Sequence, residues 1–180
     1  MKNNIITMTL TLVIIAVVVS VAMSYVNGIT KPLIEENDAK KLNDSLATVI
    51  EADEFPVLEE NESYTIYKAV KGGEDVGFCV KNASSGYGGD ITLLTGMDKD
   101  LKVTGVELLS HAETAGLGAN ATKPEFKEQY KGKAENMGVV KNSPGENDIV
   151  AISGATITSK AVTKGVNDAI ALVKEAGINE

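Results

Sequence analysis

The stretch Ser-Gly-Ala-Thr-Ile-Thr-Ser at residues 153–159 combines small residues with four hydroxyl side chains. It follows an apolar run, Asp148–Ile152, that is typical of a strand, and it opens a segment with apolar residues at helical spacing, Thr156–Ala176. The first turn of a helix presents free backbone N–H groups and the positive end of the helix dipole, so this place could bind a phosphate. The other interpretation is ordinary helix capping, because Ser and Thr are common N-cap residues.

Two polar, glycine-bearing loops precede this stretch. Residues 84–89 read Ser-Ser-Gly-Tyr-Gly-Gly, and residues 111–118 read His-Ala-Glu-Thr-Ala-Gly-Leu-Gly. Glycines let a backbone approach a ligand closely, and Tyr87 could either stack on a planar ring or cover the core. His111 is the only histidine, which excludes a three-histidine metal site, and no Gly-x-Ser-x-Gly nucleophile elbow occurs. We therefore predict no metal site.

The three stretches resemble, in the same order along the chain, the motifs of the FMN-binding domain found in the G subunit of Rnf complexes and in the C subunit of sodium-pumping NADH:quinone reductases. The matching motifs are Gly-Tyr-Gly-Gly, His-x-Glu-Thr-x-Gly-Leu-Gly and Ser-Gly-Ala-Thr-x-Thr. Ala115 stands where the family pattern has Pro, which removes a preset φ and leaves the polar groups of the loop in place. The resemblance implies that Thr158, the last Thr of the final motif, carries FMN through a phosphoester bond. Thr156 is the second-best acceptor, because it is also a hydroxyl at the same helix start.

The resemblance also implies which residues surround the flavin. Residues 153–156 would offer N–H and hydroxyl donors to the phosphate. Glu113, Thr114 and residues 116–118 would face the isoalloxazine edge, where the charge of Glu113 would lower the flavin potential. The predicted cofactor-binding residues are Tyr87, Gly88, His111, Glu113, Thr114, Gly116, Leu117, Gly118, Ser153, Gly154, Ala155, Thr156 and Ile157. Since the flavin itself does the redox chemistry, no side chain is assigned a catalytic role.

A segment of 22 residues without charge, Ile5–Val26, lies near the N-terminus. As a helix it would be about 33 Å long, enough to cross a hydrocarbon core of ~30 Å. A secretory signal peptide is the competing interpretation, but its apolar part is usually about 7–15 residues long, and Ala22-Met23-Ser24 matches a small-x-small cleavage site poorly. Lysines flank both sides, so the positive-inside rule does not fix the orientation. The resemblance implies an uncleaved anchor with its N-terminus in the cytoplasm.

The predicted organisation is a cytoplasmic tail (1–4), a transmembrane helix (5–26), a helical stalk (27–50) and an extracytoplasmic FMN-binding domain (51–180). Pro32 suits the beginning of the stalk helix. Strand-like runs at 64–70 and 76–81, and again at 91–97 and 101–109, predict two successive hairpins. A short helix is predicted at Lys123–Lys131. The fold class is therefore α+β, an antiparallel sheet packed with helices and preceded by one N-terminal transmembrane helix.

The composition of the chain limits which molecules and cofactors it can bind. The formal net charge of −8 argues against binding to nucleic acid. The chain contains no Arg, so a phosphate would be held by Lys, hydroxyl and backbone groups, or covalently. The single cysteine, Cys79, excludes a disulfide within the chain, an iron–sulfur cluster and lipoprotein processing at the N-terminus.

The resemblance covers nearly the whole chain. It implies an electron-carrying flavoprotein of the cell membrane, a subunit of a complex that passes electrons between ferredoxin and NAD⁺ and moves Na⁺ or H⁺. The implied partners are the other subunits of that complex, especially its membrane subunits and its second flavinylated subunit, and a flavin transferase that attaches FMN. Two alternatives stay open: a free-standing flavinylated carrier outside the membrane, and an anchored scaffold domain without cofactor.

Overall fold

The computed structural model describes residues 2–177 and divides into two compact units, with the boundary between Lys41 and Leu42. Helix α1 runs from Lys2 to Val49, and its apolar side chains between residues 6 and 34 are exposed. Among the described residues, it is the one helix long and apolar enough to cross a membrane, with a mean hydropathy of 2.6 over an 18-residue stretch. The predicted N-terminal apolar helix is confirmed.

Helix α1 passes through Pro32, and so the predicted start of a separate stalk helix there is wrong. Proline suits the first turn of a helix because it lacks an N–H group, but inside a helix it costs about 3 kcal/mol. Here residues 2–31 are already helical, so the helix loses one backbone hydrogen bond at Pro32 and continues.

Five strands form an antiparallel meander in which each strand pairs with the next one along the chain. Their bounds are Val57–Glu60 (β1), Tyr64–Lys71 (β2), Glu74–Ser85 (β3), Asp90–Asp98 (β4) and Val103–Ser110 (β5). The two predicted hairpins are confirmed as β2–β3 and β4–β5. The sequence did not predict β1, because its two apolar residues, Val57 and Leu58, are adjacent instead of alternating and both remain exposed.

One face of the sheet carries the larger apolar core, which packs against helix α3 (Thr156–Glu175). Alternate residues of the strands point to this face, as the period of a β-strand requires. Its fully buried members include Ile66, Val80, Leu93, Val162, Val166 and Ile170. The fold class is therefore confirmed: a mixed helix and strand architecture around an antiparallel sheet.

The opposite face of the sheet is covered by the last turns of α1. Leu46, Val49 and Ile50 are buried there against Tyr67, Cys79 and Leu94. The backbone of Val49 comes so close to the sheet that a β-carbon on Gly96 would lie 2.7 Å from its carbonyl oxygen. The hydroxyl of Thr104 donates a hydrogen bond of 2.6 Å to the same oxygen. Small residues on β4 and β5 thus make room for the helix end.

The sulfur atoms of the second unit lie in these two cores. Cys79 and Met97 are fully buried, and Met137 is 5% exposed. Burial raises the pKa of the Cys79 thiol to about 12. The remaining described methionines, Met8 and Met23, lie on α1.

The predicted single helix at 123–131 is replaced by a sequence of short turns. A 3₁₀ helix at Gly118–Thr122 is followed by helix α2 (Pro124–Lys127) and by a second 3₁₀ helix at Glu128–Tyr130. Within these turns the rings of Phe126 and Tyr130 meet edge to face, with their centroids 5.6 Å apart.

Two three-residue strands, β6 (Gly138–Val140) and β7 (Asp148–Val150), run parallel to each other. Val140 pairs with Val150, and the N–H of Ala151 donates a hydrogen bond of 2.8 Å to the carbonyl of Val140. Because the strands are parallel, the chain leaves both of them at the same edge. At that edge β7 continues into the turn that starts α3.

Candidate functional site

A cavity of about 830 Å³ opens at the start of α3, within the second unit. Its walls come from four segments: the glycine-rich loop after β3, the loop after β5, the chain leaving β6, and the turn between β7 and α3. The lining residues are Tyr87, Glu113, Thr114, Leu117, Gly118, Lys141, Asn142, Ala151, Ile152, Ser153, Gly154, Ala155, Thr156, Ile157 and Thr158. The volume lies in the range of ~300–1,000 Å³ that is usual for small-molecule sites.

The cavity brings together most of the residues singled out in the sequence, although they come from loops far apart in the chain. Gly88, His111 and Gly116 are the predicted residues that do not line it. Gly88 and His111 instead form hydrogen bonds with Glu113. The N–H of Gly88 donates to the Glu113 carboxylate, and Nδ1 of His111 accepts the backbone N–H of Glu113. The carbonyl of Gly116 accepts a hydrogen bond from the side chain of Asn120.

Four lining residues were not predicted, namely Lys141, Asn142, Ala151 and Ile152. The last two belong to the run that precedes the Ser-Gly-Ala-Thr motif, and their proximity to it in the chain was a usable signal. Lys141 and Asn142 belong to none of the three motifs. Their place follows from the parallel pairing of β6 with β7, which sequence patterns did not indicate.

Glu113 ties three of the four segments together. Its Oε1 accepts hydrogen bonds from the backbone N–H groups of Tyr87 (2.7 Å) and Gly88 (3.0 Å), and its Oε2 accepts one from the hydroxyl of Thr158 (2.6 Å). The side chain is 8% exposed. This carboxylate therefore fixes the glycine-rich loop and the first turn of α3 against the loop after β5.

The hydrogen bonds also decide the ionisation of Glu113. Burial disfavours its charged form, but the donors from Thr158, Gly88 and Tyr87, together with the nearby His111, outweigh that effect. They hold the pKa of the carboxyl below its ordinary value of 4.5. Glu113 is thus a carboxylate at neutral pH, with its oxygens directed at these donors.

Gly118 is packed directly against the Glu113–Thr158 pair. A β-carbon at Gly118 would lie 2.6 Å from the hydroxyl oxygen of Thr158 and would overlap the Glu113 carboxylate. Only glycine leaves room for the hydrogen bond between these two side chains. The last glycine of the motif His-x-Glu-Thr-x-Gly-Leu-Gly is therefore a packing requirement of the cavity wall.

The start of α3 has no side-chain cap. Ala155 is its N-cap residue, and the turn before it depends on Gly154, whose φ of +76° is in the left-handed region. The hydroxyl of Ser159 donates a hydrogen bond to the carbonyl of Ala155 and accepts one from the N–H of Ile152. It therefore links the two ends of the turn. Capping by a hydroxyl, the alternative interpretation of this stretch, is therefore wrong. The first backbone N–H groups of a helix have no partner within it, and the residues that carry them here, 155–158, line the cavity.

The two threonines of the motif lie in different surroundings. Thr158 is 1% exposed, and its hydroxyl is bonded to Glu113. Thr156 is half-buried on the cavity wall, and within residues 2–177 its hydroxyl has no hydrogen-bond partner. Around them the rim carries exposed apolar side chains, Tyr87, Leu117 and Ile157, which suit a planar aromatic ligand.

Comparison with known proteins gives two family matches. Residues 86–171 match the model of the FMN-binding domain, and residues 1–49 match the RnfG N-terminal region. The first of these ranges contains the cavity.

Relatives and solved structures are similar over longer stretches. The chain is 38% identical over 171 residues to the G subunit of the proton-translocating ferredoxin:NAD(+) oxidoreductase complex of Clostridium ljungdahlii, covering 94% of this chain and 91% of that one. It is 42% identical over 124 residues to the G subunit of the Na(+)-translocating ferredoxin:NAD(+) oxidoreductase complex of Acetobacterium woodii, covering 66% of this chain and 59% of that relative. The crystal structure of the C subunit of the Na(+)-translocating NADH-quinone reductase from Parabacteroides distasonis is similar with a TM-score of 0.54 and 26% identity, over 62% of this chain and 61% of that one.

Proposed function

The chain belongs to the family of G subunits of ion-translocating ferredoxin:NAD⁺ oxidoreductase complexes, and we propose on this premise that it carries electrons on an FMN held in the cavity at the start of α3. The observation that carries the proposal is the convergence of the three motifs on one cavity of about 830 Å³. Membership of relatives in such complexes supports a role within a complex over that of a free-standing carrier.

The residues of the cavity fit FMN. The exposed apolar groups of Tyr87, Leu117 and Ile157 suit the flat faces of the isoalloxazine ring. The uncapped N-terminus of α3 suits the phosphate. FMN, when bound, supplies the reversible uptake and release of electrons, and the protein binds and orients it. The expected lowering of the flavin potential by Glu113 stays a prediction.

Within this proposal the flavin is covalently attached, and the two threonines are unequal as acceptors. The Thr158 hydroxyl is buried and bonded to a carboxylate. A phosphoryl group on it would have to displace Glu113 and then lie beside a second negative charge, in a space that Gly118 barely leaves open. These contacts weigh against Thr158, the residue implied by the sequence resemblance.

Thr156 has the properties that an acceptor needs. Its hydroxyl lies on the cavity wall without a hydrogen-bond partner in the described chain, and it belongs to the first turn of α3. A phosphate esterified there would stay next to the free N–H groups of that turn. We therefore assign the phosphoester to Thr156, and we assign Thr158 to the packing of the cavity wall through its bond to Glu113.

The proposal includes the topology and the partners. Residues 1–4 form a cytoplasmic tail, 5–26 span the membrane, 27–50 form a stalk whose last turns pack on the sheet of the domain, and 51–180 form the rest of the FMN-binding domain on the outer side. The partners are the membrane subunits and the second flavinylated subunit of the complex. A flavin transferase attaches FMN by transfer from a flavin dinucleotide: the phosphoanhydride bond of the donor breaks, the Thr156 hydroxyl loses its proton and forms the phosphoester, and the nucleotide leaves.

The test is flavin attachment to the full-length chain, produced in a host with an active flavin transferase. We expect a flavin-fluorescent band in a denaturing gel for the parent, no band for Thr156→Ala, and a retained band for Thr156→Ser, which keeps the hydroxyl. Mass spectrometry of the peptide between Lys141 and Lys160 assigns the site directly, because fragments that separate Thr156 from Thr158 differ by the flavin mass.

Two results would contradict the proposal at different levels. FMN found on Thr158 would overturn the choice of acceptor and leave the flavoprotein function standing. A colourless parent chain, together with a flavinylated control protein from the same cells, would overturn the function.

A further inference from the structure

Among the residues that the structure describes, Lys141 is the one cationic side chain that lines the cavity, and the chain contains no Arg. It follows Val140, the last residue of β6, whose carbonyl accepts the N–H of Ala151. Parallel pairing thus puts Lys141 beside the chain that leads from β7 into Ser153 and Gly154. The lysine and the start of α3 therefore lie at the same edge of the two-stranded sheet.

The two charged side chains of the cavity wall, Lys141 and Glu113, differ in whether they already have partners. Within residues 2–177 Lys141 forms no ion pair, whereas lysines elsewhere on the domain do, among them Lys68 with Asp75 and Lys174 with Glu135. Glu113, the carboxylate in the cavity wall, already accepts three hydrogen bonds. An anionic group that enters the cavity is therefore repelled on the Glu113 side and attracted on the Lys141 side.

A helix N-terminus alone carries only about half a positive charge. A phosphate bound there is held much more strongly when a full cationic charge is added, and a lysine supplies that charge as a mobile point donor. The end of β6 supplies such a lysine on the side where α3 begins. The flavin ring has a different environment, the apolar rim formed by Tyr87, Leu117 and Ile157.

We propose that the ammonium group of Lys141 binds the phosphate of FMN, through a contact that does not depend on the covalent bond. The proposal rests on the proposed function, because it assumes that the cavity binds FMN. It adds a phosphate-recognition residue that lies outside all three sequence motifs.

The experiment uses the full-length chain made in a host without a flavin transferase, so that no flavin is attached covalently. Binding of FMN and of riboflavin, which has the same ring and no phosphate, is measured by quenching of flavin fluorescence. We expect the parent to prefer FMN, and Lys141→Gln to lose roughly tenfold in FMN affinity, the size expected for a charge-assisted hydrogen bond. Riboflavin affinity should not change.

The matched control is Lys160→Gln. It removes the same charge from an exposed lysine near the start of α3 that does not line the cavity. Its FMN affinity should equal that of the parent. This result would show that the loss in Lys141→Gln comes from a lost contact with the phosphate and not from the change in net charge.

Three outcomes would overturn the proposal: a parent without preference for FMN, a preference that persists in Lys141→Gln, or an equal fall in affinity for both flavins. The last result would mean that Lys141 contacts the flavin ring and not the phosphate. None of them would affect covalent labelling of the parent in a host with the transferase, so failure here is distinct from failure of the proposed function.

Discussion

At the scale of single residues, Glu113 sets the conditions under which the cavity keeps its shape. Its pKa is held below the ordinary value in the folded protein, so its carboxylate bonds stabilise the fold above that ordinary pKa of 4.5 and are lost as the pH falls through the lower, folded value. We predict that Glu113→Gln lowers the free energy of unfolding by about 1–3 kcal/mol at neutral pH, because a buried hydrogen-bond network loses its charged acceptor. The measurement is urea unfolding of the full chain in detergent over a series of pH values.

The difference between parent and Glu113→Gln should be constant around neutral pH and should shrink in acid. Glu125→Gln, at an exposed carboxylate of α2, is the control and should unfold like the parent. A difference that stays the same down to acid would show that ionisation of Glu113 contributes nothing.

The three motifs, together with their resemblance to the FMN-binding domain, predicted most of the residues that line the cavity. Residue types could not rank Thr156 against Thr158, since two residues along a helix start turn the side chain from an open position on the cavity wall to a buried one bonded to Glu113. Lys141 escaped prediction for another reason. Three-residue strands such as Gly138–Val140 have too few positions to show a period.

At the scale of elements, the end of α1 belongs to the folded domain. Leu46 is 2% exposed and packs on the sheet, whereas Leu33 on the same helix is 56% exposed. We predict that Leu46→Ala costs about 2–5 kcal/mol of unfolding free energy, through lost burial and the cavity left behind. Leu33→Ala, the same change at an exposed position, should alter it by less than about 0.5 kcal/mol.

Unfolding in this experiment is read from the reactivity of Cys79 with a thiol reagent, since the thiol is fully buried in the native domain. Equal behaviour of the two leucine variants would mean that the helix end contributes nothing to the domain.

Strand-like apolar runs predicted the strands that are well buried and missed the one whose burial is weak. The central strands β2, β3 and β4 carry consecutive buried residues and were found, but β1 lies at the edge and has no buried face. The interruption expected at Pro32 did not occur, because local helix preference on both sides outweighs one missing N–H group. Tertiary pairing of β6 with β7 lies beyond any local pattern.

At the scale of the whole molecule, the proposed topology makes a prediction about access. A new cysteine from Glu62→Cys, at an exposed position of the domain, should react with a membrane-impermeant maleimide in intact cells. One from Asn3→Cys should react only after the membrane is permeabilised. The parent is the blank, because its Cys79 is buried and burial raises the pKa of the thiol to about 12. Labelling of Asn3→Cys in intact cells would reverse the orientation.

The burial of Cys79, Met97 and Met137 also has a chemical consequence for how long such a domain lasts. Oxidants attack thiolates and accessible thioethers first, and they convert them to sulfenic acids and sulfoxides that disturb a core. Every sulfur atom of the described part of the second unit is enclosed in the core, and the thiol is protonated there. The described part of the second unit thus offers peroxide no exposed sulfur atom, and oxidation of these sulfur atoms requires the domain to open first.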